Sequence, residues 1–139
     1  MNLLLVLIPF PYKRDWNNPL FLWAFGQPHK LTSNVRDALQ NPENVLILSV
    51  VSVWEMQIKV QIGKLNLPLP VKELVMVQRA FNQIQSLPVV ERHIWMLGTL
   101  PMHHKDPFDR LLIAQAKAEK WRLVTADPVL AQYPVQILT

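Results

Sequence analysis

The sequence predicts an α/β fold with three layers, in which helices cover both faces of a central parallel sheet. Residues 2–8 and 45–50 are almost entirely apolar, which is typical of strands that are buried on both faces. The rest of the chain alternates helical and strand patterns, and the connections lack the turn residues of β-hairpins. Right-handed crossovers then place the carboxyl ends of the strands along one edge of the sheet, next to the helix N-termini.

The first half of the chain is predicted to contain two strands and three helices. In order, these are strand 2–8, a short helix at 21–25, a helix from residue 33 to about 40, strand 45–50 and a helix from residue 52 to 62. Thr32 or Ser33 is expected to cap the second helix, and Ser52 is expected to open the third. Gly63 stands where a helix commonly ends.

The second half is predicted to contain four helices, two short strands and a terminal strand. In order, these are helix 71–81, strand 85–89, a helix through 94–97, helix 107–120, strand 122–126, a one-turn helix after residue 128 and strand 135–138. Asp106 is a good N-cap for the helix that begins at Pro107, and Asp109 lies in its first turn.

Size and composition indicate a single globular domain over residues 1–139. Half of the residues are hydrophobic and 17% are charged, which is enough to form one core and excludes a disordered chain. There is no cysteine, so disulfides and thiolate metal sites are excluded. The apolar run near the N-terminus lacks a basic flank and falls short of the ~20 residues of a membrane span. We therefore expect a cytoplasmic protein without membrane association.

The charge balance favours an anionic partner. The net charge is +4 and the sequence pI is about 9.6. Nucleic acid is the first candidate for such a partner, although many ordinary domains carry a similar excess.

Each acidic side chain of interest has a local structural explanation. Glu55 follows Ser52 at the spacing of a capping box, in which the glutamate bonds back to the serine amide. Asp106 can cap its helix, and Asp127 with Pro128 is typical of a turn. Taken singly, these explanations favour structural roles.

Glu55, Asp109 and Asp127 nevertheless share a position, because each follows a strand end or opens a helix. We therefore expect them to meet at one edge of the sheet, where each pair repels by up to ~4 kcal/mol at an effective dielectric near 20. A bound cation or raised pKa values would relieve this repulsion. Oxygen ligands without cysteine favour Mg²⁺ or Mn²⁺. Such an ion activates water and neutralises a phosphodiester, so the pattern predicts a phosphodiesterase.

Four blocks of sequence resemble a PIN-domain ribonuclease of the VapC toxin type. The blocks are residues 1–5 with 21–23, 49–59 with 63–65, 103–116, and 123–127. The resemblance implies a Mg²⁺-dependent endoribonuclease, the toxin of a type II toxin–antitoxin pair, that hydrolyses RNA phosphodiesters. It also implies an antitoxin protein as partner and a homodimer.

The resemblance also assigns residues. By position, it implies that Glu55, Asp109 and Asp127 are the acidic metal ligands and catalytic residues. Asp106 belongs to the same motif and is included among the catalytic residues. Three further side chains are expected to support the site, namely Thr125, Ser52 and Arg110.

The sequence departs from the family at the end of the first strand. There the family has an aspartate followed by Thr-His, whereas Leu5 is followed here by Val6-Leu7-Ile8-Pro9. Asp15 is the single acid in residues 6–20. Two interpretations stay open. Either Asp15 supplies the missing metal ligand, or the ligand is lost and the chain is a catalytically impaired PIN domain that binds RNA or an antitoxin.

Overall fold

Within the residues that the structure describes, five parallel strands form a single sheet with the spatial order β3-β2-β1-β4-β5. The strands are β1 (Leu3–Val6), β2 (Val45–Ser49), β3 (Gln85–Leu87), β4 (Arg122–Val124) and β5 (Ile137–Leu138). The computed structural model from which this sheet is taken describes residues 3–6, 32–67, 69–102, 106–124, 132–135 and 137–138. The parallel sheet confirms the predicted α/β class.

Five helices lie within the described residues. They are α1 (Ser33–Gln40), α2 (Val50–Gln61), α3 (Val71–Asn82), α4 (Glu91–Leu97) and α5 (Pro107–Glu119). The predicted helices at 21–25 and after residue 128 lie outside the described residues, as do the ends of several predicted strands. None of the described helices combines the length and the apolar content that crossing a bilayer requires.

Alternate residues of β2 belong to two separate apolar cores, one on each face of the sheet. Leu46 and Leu48 belong to a cluster with residues of α1, α3 and the inner face of α2. Ile47 belongs to a second cluster that includes Leu112 and Ile113 of α5. Because side chains alternate along a strand, these two clusters lie on opposite faces of the sheet. This arrangement confirms the three predicted layers.

The central strand β1 aligns the two strands that lead to the predicted acidic residues. Val6 is paired with Leu48 of β2 and with Val124 of β4. Strands β2 and β4 therefore end at the same edge of the sheet. This register places the start of α2 directly at the edge where a ligand is expected.

Helix α2 begins earlier than predicted. Ser49, not Ser52, is its N-cap: the backbone of Ser49 is extended and its hydroxyl accepts a hydrogen bond from the Val51 amide at 3.1 Å. Ser52 lies inside the helix, so the expected capping box between Ser52 and Glu55 is wrong. The strand ends at Ser49 because the cap turns the chain immediately, without a loop.

Within the described residues, three helices are followed by a residue in the left-handed conformation: α2 by Gly63, α3 by Gln83 with φ of 55°, and α5 by Lys120. Gly63 follows α2 with φ of 75°, as the sequence predicts for a helix end. Lys120 follows α5 with φ of 60°, and its amide bonds to the carbonyls of Ala116 and Lys117. A side chain with a Cβ is strained in this region of φ.

Replacement of Lys120 by glycine is therefore expected to stabilise the fold. Relief of the left-handed strain exceeds the entropy that glycine adds to the unfolded chain, which leaves a gain of about 0.5–1 kcal/mol. Urea unfolding followed by circular dichroism measures this free energy. The control Lys120→Ala removes the same charge but keeps the Cβ, and it should give no gain. Equal stability of the two variants would contradict the strain at this position.

Candidate metal centre

Three carboxylates from two helices converge at one point. Glu55 comes from the middle of α2, while Asp106 and Asp109 come from the start of α5. One carboxylate oxygen of each residue lies within 4.8 Å of the other two. Only 2% of Glu55 and 3% of Asp109 are exposed, and Asp106 is partly exposed. The structure thus brings together two of the three acids expected at this edge, plus the acid expected to cap the helix.

Asp106 orients the start of α5. Its Oδ1 accepts hydrogen bonds from the amides of Phe108 at 2.8 Å and Asp109 at 3.2 Å. Pro107 occupies the first helical turn, where its missing N–H is not needed. The predicted cap is confirmed. Because the cap fixes the first turn, it also fixes the direction in which Asp109 leaves the helix.

Glu55 has an unusual electrostatic environment. Burial of its carboxyl raises the pKa to about 9, and the negative charges of Asp109 and Asp106 contribute in the same direction. Lys59 acts against them. Within the described residues, Glu55 Oε2 is buried and has no hydrogen-bond partner. Without a cation, the side chain therefore holds a proton at neutral pH.

This donor set fits a hard divalent cation. The three side chains offer only carboxylate oxygens, which are the ligands that Mg²⁺ and Mn²⁺ prefer. The buried Glu55 oxygen without a partner is an acceptor that a cation would satisfy. A positive charge at this point would also offset the repulsion from Asp109 and Asp106, which adds to the effect of burial on the pKa of Glu55. The residues present thus satisfy the chemical requirements of such an ion.

The remaining candidate residues divide between the described and the undescribed parts of the chain. Ser52 is buried on α2, three residues before Glu55, and its hydroxyl has no hydrogen-bond partner among the described residues. Arg110 donates from Nη1 to the Pro101 carbonyl at 2.8 Å and to the Tyr133 hydroxyl at 3.2 Å. Three candidates lie outside the described residues, namely Asp15, Thr125 and Asp127.

Sequence reasoning missed a buried polar pair that joins the N-cap of α2 to α5. Ser49 and Gln115 are both fully buried and are joined by a hydrogen bond of 2.5 Å from Ser49 Oγ to Gln115 Oε1. The available signal was Gln115 itself, a polar residue within the apolar stretch from Leu112 to Ala116. A polar side chain inside a buried run usually has a specific partner.

Comparisons with known proteins identify relatives by sequence and by fold. The family model of the PIN domain matches residues 20–136. VapBC2 from Rickettsia felis, in a crystal structure bound to a DNA fragment from its promoter, has a similar fold: the TM-score is 0.65 at 14% identity over 98% of this chain and 97% of that one. FitAcB from Neisseria gonorrhoeae gives a TM-score of 0.53 at 18% identity over 99% and 96%. No curated protein matches the chain significantly.

Without divalent cations, the variant Glu55→Gln is expected to be more stable than the wild type at alkaline pH. The pKa of Glu55 is about 9 in the folded chain and 4.5 as its ordinary value. The unfolded chain therefore loses this proton first, and wild-type stability falls as pH rises from 4.5 through 9. The variant lacks this dependence, so its advantage grows by as much as about 1.4 kcal/mol per pH unit in that window. Denaturant unfolding in EDTA measures it.

The exposed Glu43 provides the matched control for this experiment. Glu43→Gln removes one carboxylate of the same type from a solvated loop, so its unfolding free energy should follow the wild type at every pH. A Glu55→Gln curve parallel to the wild type would contradict the raised pKa.

Two substitutions at Asp106 distinguish the stabilisation by its capping hydrogen bonds from the stabilisation by its negative charge. Asp106→Ala removes the acceptor for two amides and is expected to lower the unfolding free energy by about 1 kcal/mol. Asp106→Asn keeps an acceptor oxygen and should stay within a few tenths of the wild type. Thermal unfolding at pH 5 compares the two variants. Equal losses would show that the negative charge, rather than the hydrogen bonds, stabilises the start of α5.

Proposed function

Because this chain belongs to the PIN domain family, we propose that it is a metal-dependent endoribonuclease and the toxin of a toxin–antitoxin pair. PIN domains are generally nucleases. The observation that supports the proposal best is the convergence of Glu55, Asp106 and Asp109 within 4.8 Å. The net charge of +4 suits RNA, which is a polyanion.

Glu55 and Asp109 would hold the cation, with Asp106 beside them. Asp127 is proposed as a further ligand, because it follows β4 by three residues and β4 is in register with the strands that lead to α2. When bound, Mg²⁺ or Mn²⁺ activates water and neutralises charge on a phosphodiester.

The protein side chains prepare the site for this ion. The cap formed by Asp106 sets the first turn of α5 and so directs Asp109 towards Glu55. Glu55 holds a proton at neutral pH because its pKa is raised to about 9. Proton binding and cation binding therefore compete at Glu55, and the affinity for the cation is expected to rise with pH.

We further propose an antitoxin protein as a partner, a homodimer and a cytoplasmic location. Two structures of similar fold, VapBC2 and FitAcB, carry composite names, and VapBC2 is bound to a DNA fragment from its promoter. This similarity supports a partner protein for the present chain. The RNA and the antitoxin would compete if the partner covered the acidic cluster.

A second function is favoured by the sequence that follows β1. Val6 reaches the same edge of the sheet as Leu48 and Val124. The next residues in the sequence are Leu7, Ile8 and Pro9, none of which offers a carboxylate. If Asp15 does not supply a ligand, the chain is a PIN domain that binds RNA or an antitoxin without cleaving RNA.

Cleavage of RNA tests the first function. The purified protein is expected to cleave single-stranded RNA with Mg²⁺ or Mn²⁺ and to be inactive in EDTA. Glu55→Gln and Asp109→Asn should each lower the cleavage rate by about 100-fold or more, because each removes a charge that holds the ion. Asp37→Asn, in the exposed part of α1, is the control and should retain wild-type activity.

Calorimetry with Mn²⁺ separates the two functions. Mn²⁺ binding without cleavage of any RNA would exclude the nuclease function for the isolated chain. Tight binding of RNA or antitoxin without any binding of Mn²⁺ would support the second function. Metal-dependent cleavage that Asp15→Asn abolishes would identify Asp15 as the replacement ligand.

A further inference from the structure

We propose that Ser49 and Gln115 are positioning residues, which hold α2 and α5 in the one register that brings Glu55 and Asp109 together. This inference rests on the proposed metal-dependent function, because one of its tests measures the binding of Mn²⁺. Neither residue lies in the acidic cluster itself. Their effect on the site is exerted through the two helices that carry the acids.

The contact between the two residues is short, buried and directional. Ser49 Oγ donates to Gln115 Oε1 at 2.5 Å, and both side chains are fully buried. The same hydroxyl accepts a hydrogen bond from the Val51 amide at 3.1 Å and so caps α2. The hydrogen bond to Gln115 is therefore made by the N-cap residue of that helix. A displacement of either helix would leave buried polar atoms without partners, which is costly in the interior of a protein.

The spacing of the residues links this bond to the acids. Glu55 follows Ser49 by six residues, and Asp109 precedes Gln115 by six residues. Six residues correspond to about 9 Å of helix rise in each case. The residue nearer the start of α2 meets the residue nearer the end of α5, and the reverse holds for the acids. The two helices are therefore antiparallel where they touch. The hydrogen bond and the acid pair are therefore two matched contacts on the same pair of helices.

Other forces between α2 and α5 do not define this register by themselves. Val51 packs in one apolar cluster with Leu112 and Ile113, and apolar burial is not directional. The rings of Trp54 and Phe108 pack edge to face with their centroids 4.8 Å apart, but more than half of Trp54 is exposed. Ionised carboxylates would repel one another. This repulsion favours the separation of α2 from α5. The hydrogen bond between Ser49 and Gln115 is a directional buried contact that opposes it.

Gln115 is itself oriented from the side opposite Ser49. Its Nε2 donates to the Pro88 carbonyl at 3.3 Å and lies 3.4 Å from His93 Nδ1. That ring nitrogen also accepts from the Val90 amide at 3.1 Å, and His93 Nε2 lies 2.8 Å from Glu119 Oε1. The amide group of Gln115 is thereby turned so that its oxygen faces Ser49.

The substitution Gln115→Met tests the proposal because methionine has a similar shape but cannot accept the hydrogen bond. We expect Mn²⁺ affinity, measured by calorimetry, to fall by about tenfold. The cleavage rate should fall at saturating RNA, with little change in KM. Ser49→Ala should have a similar effect, and the double variant should be no worse than the worse single variant. Ser49→Thr keeps the hydroxyl and should restore Mn²⁺ affinity.

Asn44→Ala is the control, since it removes the hydrogen bond from Asn44 Nδ2 to the Ala38 carbonyl of α1 and leaves the contact between α5 and α2 intact. It should lower the melting temperature without changing Mn²⁺ affinity. If Gln115→Met and Ser49→Ala behave like this control, the proposal is overturned. If one of the two fails to fold, the other still decides.

A distance measurement keeps the proposal testable if the wild type binds no metal. The chain lacks cysteine, so Gln57→Cys and Lys117→Cys provide two unique sites for spin labels on α2 and α5. Gln115→Met should shift or broaden the distance between the labels, and Asn44→Ala should leave it unchanged. An unchanged distance in Gln115→Met contradicts the positioning role. Absence of Mn²⁺ binding in the wild type contradicts the metal centre instead.

Discussion

The rest of the structure depends on three carboxylates that lie next to one another. Glu55, Asp106 and Asp109 lie within reach of a single ion, and two of them are almost completely buried. At such separations a pair of charges repels by up to ~4 kcal/mol at an effective dielectric near 20. A fold of ordinary stability, about 5–15 kcal/mol, retains this arrangement only if a proton or a cation compensates it. The proton on Glu55 is the compensation that the protein alone provides.

The architecture supplies the rigidity that this arrangement requires. An apolar core packs against each face of the parallel sheet, and one of these cores contains residues of both α2 and α5. The two acid-bearing helices begin at side-chain caps, Ser49 and Asp106. Each cap fixes the first turn of its helix, and in α5 this turn carries Asp109. The site is thus built on helices rather than on loops, which favours precise placement.

Much of the fold and part of the site were predictable from local sequence. The apolar runs of β1 and β2 require burial on both faces, and Asp106 with Pro107 marks the start of α5 whatever surrounds it. The proximity of Glu55 and Asp109 followed from topology, because parallel strands share one carboxyl edge. The cap of α2 was assigned to the wrong serine, since Ser49 and Ser52 are equally good caps by type.

The sequence by itself determined the strand and helix types, the cap of α5 and the set of acids, because these depend on contacts within a few residues. Tertiary structure alone decided which serine caps α2 and which partner Gln115 finds 66 residues away. It also decided the protonation of Glu55, since desolvation depends on the packing of distant segments. Local patterns specify what each residue can do, and only the packed chain specifies what surrounds it.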